Sequence, residues 1–246
     1  MLPRKCRFAL WFSLVIATIL SIEPAFALPM PGDPSPRPAR KTTLDHPAPT
    51  PDARLILRVY NYAHLDAVSL ARSEKVAAEA FENLGVKLVW VDCPVPKTPS
   101  RQYSACLSDM GPTDLVLRIL PRHMAIKLAA RDEPLGSAQT CPESEPACEL
   151  SVFYHRVDAL AVEGYRADRL LGYVIAHEVA HVLLGPGHSE DGIMRGQWTR
   201  NDLQRISWGQ QLNFTSDQSK QLRYAVLRRM KQPAPDNPTQ ANLVAP

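Results

Sequence analysis

The segment His177-Glu178-Val179-Ala180-His181, followed by Gly185, His188 and Met194, has residue types and spacing that could do chemistry. Three of the seven histidines fall between 177 and 188. On a helix, residues i and i+4 share one face with side chains roughly 6 Å apart, so His177 and His181 could each turn an imidazole nitrogen to one Zn²⁺. Glu178, one residue on, would stand beside that ion. There a carboxylate can take a proton from an activated water and return it to a leaving amine. A hydrolytic zinc needs three protein ligands and one open position. No glutamate follows Glu190, which removes a glutamate on a later helix from the ligand set. His188, Glu190 and Asp191 remain. Gly185 allows the chain to reverse after the helix, and His188 is the first side chain that could return to the metal. The expected third ligand is therefore His188, with Asp191 as the runner-up.

These side chains need a helix that leaves the core at the right point. Leu170 and Val174 precede His177 and His181 on the same stripe, and the pattern predicts a helix over 167–184 ended by Gly185 and Pro186. Upstream, Arg54 to Tyr62 reads as a strand and Asp66 to Leu84 as an amphipathic helix stopped by Gly85. Val86 to Val91 is a second strand. Strand, helix and strand with tight joins make a β-α-β unit, which predicts parallel pairing. Thr113 to Leu120 is a third strand. Leu150 to Val157 is a fourth, and its Ser-Val-Phe-Tyr-His alternation suits a half-exposed sheet edge. Residues 121–149 give no assignment. Thr199 with Asp202, and Thr215 with Gln218, have capping-box spacing and predict helices running to about Trp208 and Met230.

The 246 residues, 45% hydrophobic and 22% charged, suit a globular chain with an ordinary core rather than a disordered one. A net charge of +3 is too small for an electrostatic nucleic-acid binder. Arg4, Lys5 and Arg7 precede an apolar run from Phe8 to Ile22, and Ala25-Phe26-Ala27 follows. This is the layout of a signal peptide (1–27) cleaved after Ala27, so the expected location is secreted or periplasmic. The run falls short of the ~20 residues that span a membrane. Eight prolines between Pro29 and Pro51 make 28–52 an extended tether. One domain is then expected over 53–231, with a disordered tail over 232–246. Removal of the leader takes away Cys6 and leaves Cys93, Cys106, Cys141 and Cys148, an even number in an exported chain. Two disulfides are expected. Of the three pairings, the local one, Cys93–Cys106 with Cys141–Cys148, staples one loop each.

H-E-x-x-H, then glycine, a third histidine and a methionine, is the pattern of the metzincin metallopeptidases. The string Gly187-His188-Ser189 with Asp191, Gly192 and Met194 is similar to their matrixin branch. The resemblance implies one catalytic Zn²⁺ held by His177, His181 and His188, Glu178 as general base, and Met194 as the turn methionine under the metal. It also implies an α+β fold: a mixed twisted sheet with an antiparallel edge strand, an active-site helix and a helical C-terminal subdomain. The chain departs from the pattern in two places. Three residues, Val182, Leu183 and Leu184, separate His181 from Gly185 where the family has two, and Arg195 stands where some branches carry a tyrosine. The expected substrate is a peptide or protein, taken by a monomer with no nucleic acid and no membrane span in the mature chain. The alternative is a secreted binding or structural module that keeps zinc for stability alone. Of the other residues, His46, His64 and His123 read as surface or loop positions, His155 as an edge-strand residue near the cleft, and Trp198 and Trp208 as packing groups.

Overall fold

The structure, a computed structural model, describes residues 53–95, 104–128, 134–142 and 148–233. The expected leader, the tether, His46 and the tail beyond 233 lie outside them. The chain alternates early between β1 (Ala53–Asn61), α1 (Ala67–Glu82) and β2 (Val86–Cys93), and β1 pairs with β2 in parallel register from Ala53↔Val86. Asp66 starts α1 by accepting hydrogen bonds from the Val68 and Ser69 amides, 3.0 Å each. After the short α2 (Ser104–Leu107) comes β3 (Asp114–Leu120), parallel to β1 on its other side. Next are α3 (Arg122–Leu128), β4 (Gly136–Ala138) and β5 (Cys148–Phe153). Four helices complete the described chain: α4 (Tyr154–Val162), α5 (Ala167–Leu184), α6 (Arg200–Ser207) and α7 (Ser216–Arg229). The sheet order is β2-β1-β3-β5-β4, and among the described residues β4 is its one antiparallel strand. The fold is therefore mixed α and β, with the antiparallel edge strand and the late helices as expected.

The position of that edge differs from the sequence reading. Leu150 to Phe153 is interior, paired with β3 on one side and β4 on the other, and every residue from Leu150 to Phe153 is buried. A strand covered on both faces is apolar without strict alternation, so the run resembled an edge only through its serine. At Tyr154 the backbone turns into α4, which places His155 on a helix rather than a strand. The edge is β4, three residues within the segment that gave no assignment.

Leu55, Leu57, Leu115, Leu117 and Ile119 are fully buried and share one core with α1 and α5. Eleven of the 18 residues of α5 are buried, because it packs against α1, α4, α6, α7, β4 and β5. Gly172 lets α1 approach it: a Cβ there would lie 2.6 Å from the Ser73 carbonyl oxygen and from the Val76 Cβ. Both predicted capping boxes are formed, at Thr199/Asp202 and Thr215/Gln218. Cys93 pairs with Cys106 and Cys141 with Cys148. Arg229, 1% exposed, reaches from α7 to the second bridge, donating to the Cys141 carbonyl at 2.9 Å. Trp208 caps α6 and is 72% exposed, so it is not the packing group expected. Among the described residues no helix is long and apolar enough to cross a membrane.

Candidate metal centre

Helix α5 carries its stripe out of the core near its C-terminus. Leu170 and Val174 are buried, while His177 and His181 are half-buried at the surface of a cleft. The His177 Nδ1–H donates to the Ile193 carbonyl at 2.8 Å, and the His181 Nδ1–H donates to the Gly185 carbonyl at 3.1 Å. These partners assign the proton to Nδ1 and leave Nε2 as a bare lone pair on both rings. The two Nε2 atoms then stand 3.0 Å apart, and the His181 Nε2 stands 3.3 Å from that of His188. Facing lone pairs at this distance repel unless a cation lies between them. Zn–N bonds of ~2.0–2.1 Å at tetrahedral angles separate nitrogens by roughly 3.3 Å. The donor set and its spacing therefore fit a zinc ion. Burial holds the His177 imidazole down at about 4 and also lowers His181, so both rings are neutral, the form that ligates.

The residue added between His181 and Gly185 is absorbed by the helix. α5 continues to Leu184, and Gly185 ends it at φ 85°, ψ −170° while its amide donates to the His181 carbonyl at 2.9 Å. Gly187, at φ 148°, completes the reversal. His188 is thereby brought to the other two histidines, and the three form one group of ligand atoms within 4.8 Å of one another. Asp191, the runner-up, is outside that group, and its carbonyl accepts from the Ser189 hydroxyl at 2.7 Å.

The segment after His188 orients His177. The Ser189 amide donates to the Met194 carbonyl at 2.8 Å, and the Ile193 amide to the Asn213 carbonyl at 3.1 Å. Gly192, at φ 74°, tolerates no side chain, since a Cβ would lie 2.3 Å from the Asn213 oxygen. Ile193 and Met194 are both buried, which fixes the Ile193 carbonyl that receives the His177 proton. Arg195 ties the loop to α6 through the Asp202 carboxylate at 2.6 Å.

Glu178 is 5% exposed, and burial pushes its carboxyl up to about 8. It lines a cleft of about 610 Å³ together with the three histidines. Leu135 to Ala138, the edge strand and its entry, form one side of the cleft. Leu160, Val174, Trp198 and Leu203 give it apolar walls, and the Trp198 ring lies 6.1 Å from that of His177. His64, in the turn after β1, and His123, on α3, are exposed and outside the histidine group. His155 does not line the cleft. Sequence reasoning missed β4, Leu160 and Leu203. The three residues of β4 are too few to show a period, and nothing local marks which leucines of α4 and α6 turn to the cleft.

No family model matches this chain, and no curated protein matches it. Among solved structures it is similar to archaemetzincin from Methanopyrus kandleri, at 17% identity and a TM-score of 0.42, over 75% of this chain and 99% of that one. It is also similar to metalloproteinase-II from Bacteroides fragilis, at 9% identity and a TM-score of 0.46, over 72% of this chain and 54% of that one.

Proposed function

We propose that the protein is an exported zinc-dependent peptidase that hydrolyses peptide bonds with Glu178 as general base. The observation that carries this reading is the convergence of the Nε2 atoms of His177, His181 and His188 on one point, beside a buried carboxyl that lines the same open cleft. A zinc ion held there would polarise the scissile carbonyl and make water acidic enough to lose a proton near neutral pH. Glu178 takes that proton and delivers it to the leaving nitrogen. Burial by itself raises this carboxyl, and the positive charge of a zinc ion beside it would favour the carboxylate, the form that takes a proton.

Substrate is held by the cleft walls. β4 ends the sheet, so one side of its backbone pairs with no other strand among the described residues, and an extended peptide can add to it. Such pairing falls to Gly136–Ala138, because Leu150–Phe153, which the sequence suggested as the edge, is interior to the sheet. Leu160, Val174 and Leu203 accept an apolar substrate side chain beside the scissile bond. A site that used zinc for stability alone would have no use for Glu178 beside an open position.

The test is a cleavage profile of purified protein on a peptide library, with and without chelator, alongside elemental analysis. One zinc per chain and chelator-sensitive cleavage are expected. Glu178→Ala should keep the zinc and the fold and lose about 10²–10⁴ in rate. Purified protein without stoichiometric metal, or a Glu178→Ala variant as active as the parent, would sink the reading.

A further inference from the structure

The edge strand carries a glycine that neither its conformation nor its propensity explains. Gly136 is buried in β4, paired with Val152, and its φ is not positive, so an L side chain could adopt its backbone. Glycine weakens a strand interior and there commonly marks a close approach by another group. The approaching group is Glu178. A Cβ built on Gly136 would lie 2.5 Å from its Oε1, 2.7 Å from its Cγ and 2.8 Å from its Cδ, contacts that no packed structure holds.

Neither backbone is free to withdraw. β4 is held by its ladder to β5, by the Phe153 amide donating to the Leu135 carbonyl at 2.8 Å, and by the Cys141–Cys148 bridge just beyond it. Glu178 sits within α5, between His177 and the buried Val179 and Ala180, and is 5% exposed. What would yield to a methyl group at 136 is the carboxyl itself, by rotating away from the wall. We infer that Gly136 is a positioning residue: the bare Cα of β4 seats the Glu178 carboxyl, so the strand that receives substrate also sets where the base stands. This rests on the peptidase reading for its catalytic consequence, but the contact itself does not.

The experiment compares Gly136→Ala, Glu178→Ala and their double variant in full-length, zinc-loaded protein. Gly111→Ala is the control, at a glycine with nothing within 4 Å of its Cβ. Zinc content, thermal midpoint, kcat and KM are measured. Gly136→Ala should keep its zinc, melt several degrees lower and lose about a hundredfold in kcat, with a much smaller change in KM. In the Glu178→Ala background the same methyl enters vacated space and should cost almost no thermal stability. Gly111→Ala should alter neither. Equal thermal cost in both backgrounds overturns the seat, and coupling with an unchanged kcat overturns the positioning role. If Gly136→Ala alone does not fold, the double variant should fold, and its failure to do so also overturns the inference. A parent without peptidase activity sinks the functional reading, while the thermal comparison still decides whether Gly136 seats Glu178.

Discussion

His188 is the exposed member of the histidine group, and it arrives from a loop rather than from the helix that supplies the other two. Its placement depends on Gly185 and Gly187 and on the backbone at Gly196, where a Cβ would lie 3.0 Å from the imidazole Cγ. Asp191 has the right chemistry for zinc, but its backbone is spent on the turn that carries Ile193 and Met194. His188→Ala should therefore weaken zinc binding by orders of magnitude, and Asp191→Ala should weaken it little. Competition with a chromogenic chelator reads both, and metal loss in Asp191→Ala with retention in His188→Ala would reverse the assignment.

At the scale of elements, the contact between α1 and α5 and the join of α1 to β2 each make a quantitative expectation. Gly172→Ala places a methyl 2.6 Å from the Ser73 carbonyl oxygen, in a helix pair with no slack. Overpacking costs about 1–3 kcal/mol, and alanine returns about 1 kcal/mol of helix propensity, so a net loss of up to about 2 kcal/mol is expected. Urea unfolding measures it, and a stabilised variant would mean the helices move apart freely. Glu74 on α1 has its carboxyl raised to about 7 from 4.5, first by burial and then by the negative charge and hydrogen bond of Asp92 on β2. Below pH 4.5 the folded and unfolded chains both hold this proton. Between there and about 7 only the folded chain keeps it, so stability falls as pH rises through that window. Solvent screening at this partly exposed site reduces the effect to roughly 1 kcal/mol. Glu74→Gln should flatten that part of the stability profile, and an unchanged slope from pH 5 to 7 would show that other groups set it.

For the molecule as a whole, the two disulfides should differ in consequence. Cys93–Cys106 ties β2 to α2, whereas Cys141–Cys148 closes the loop between β4 and β5 and takes the α7 residue Arg229 at the Cys141 carbonyl. Replacing either pair by serine should cost about 2–4 kcal/mol of unfolding free energy. Only loss of Cys141–Cys148 frees the edge strand that lines the cleft, so only that variant should also lose kcat/KM at temperatures where both are folded. Equal activity in the two variants would mean that the ladder to β5 holds β4 without the bridge.

What could be read from the chain alone is what depends on residues close together in it. His177, Glu178 and His181 are legible because a helix puts i and i+4 on one face whatever surrounds it. The ends of α1, α5, α6 and α7 are legible because capping and glycine stops act within a turn. The pairing of Cys141 with Cys148 and of Cys93 with Cys106 follows from short loops. The edge of the sheet was not legible. An apolar strand such as β5 has the same composition whether one neighbour or two pair with it, and β4 is too short to announce itself by period. Gly136 and Gly172 look like any other glycines until α5 is packed against β4 and α1, because a missing Cβ acquires meaning only from the atom that takes its place. The proposed metal ligands were thus written locally, while the wall that Glu178 packs against and the open edge of the sheet were decided by contacts between residues far apart in the chain.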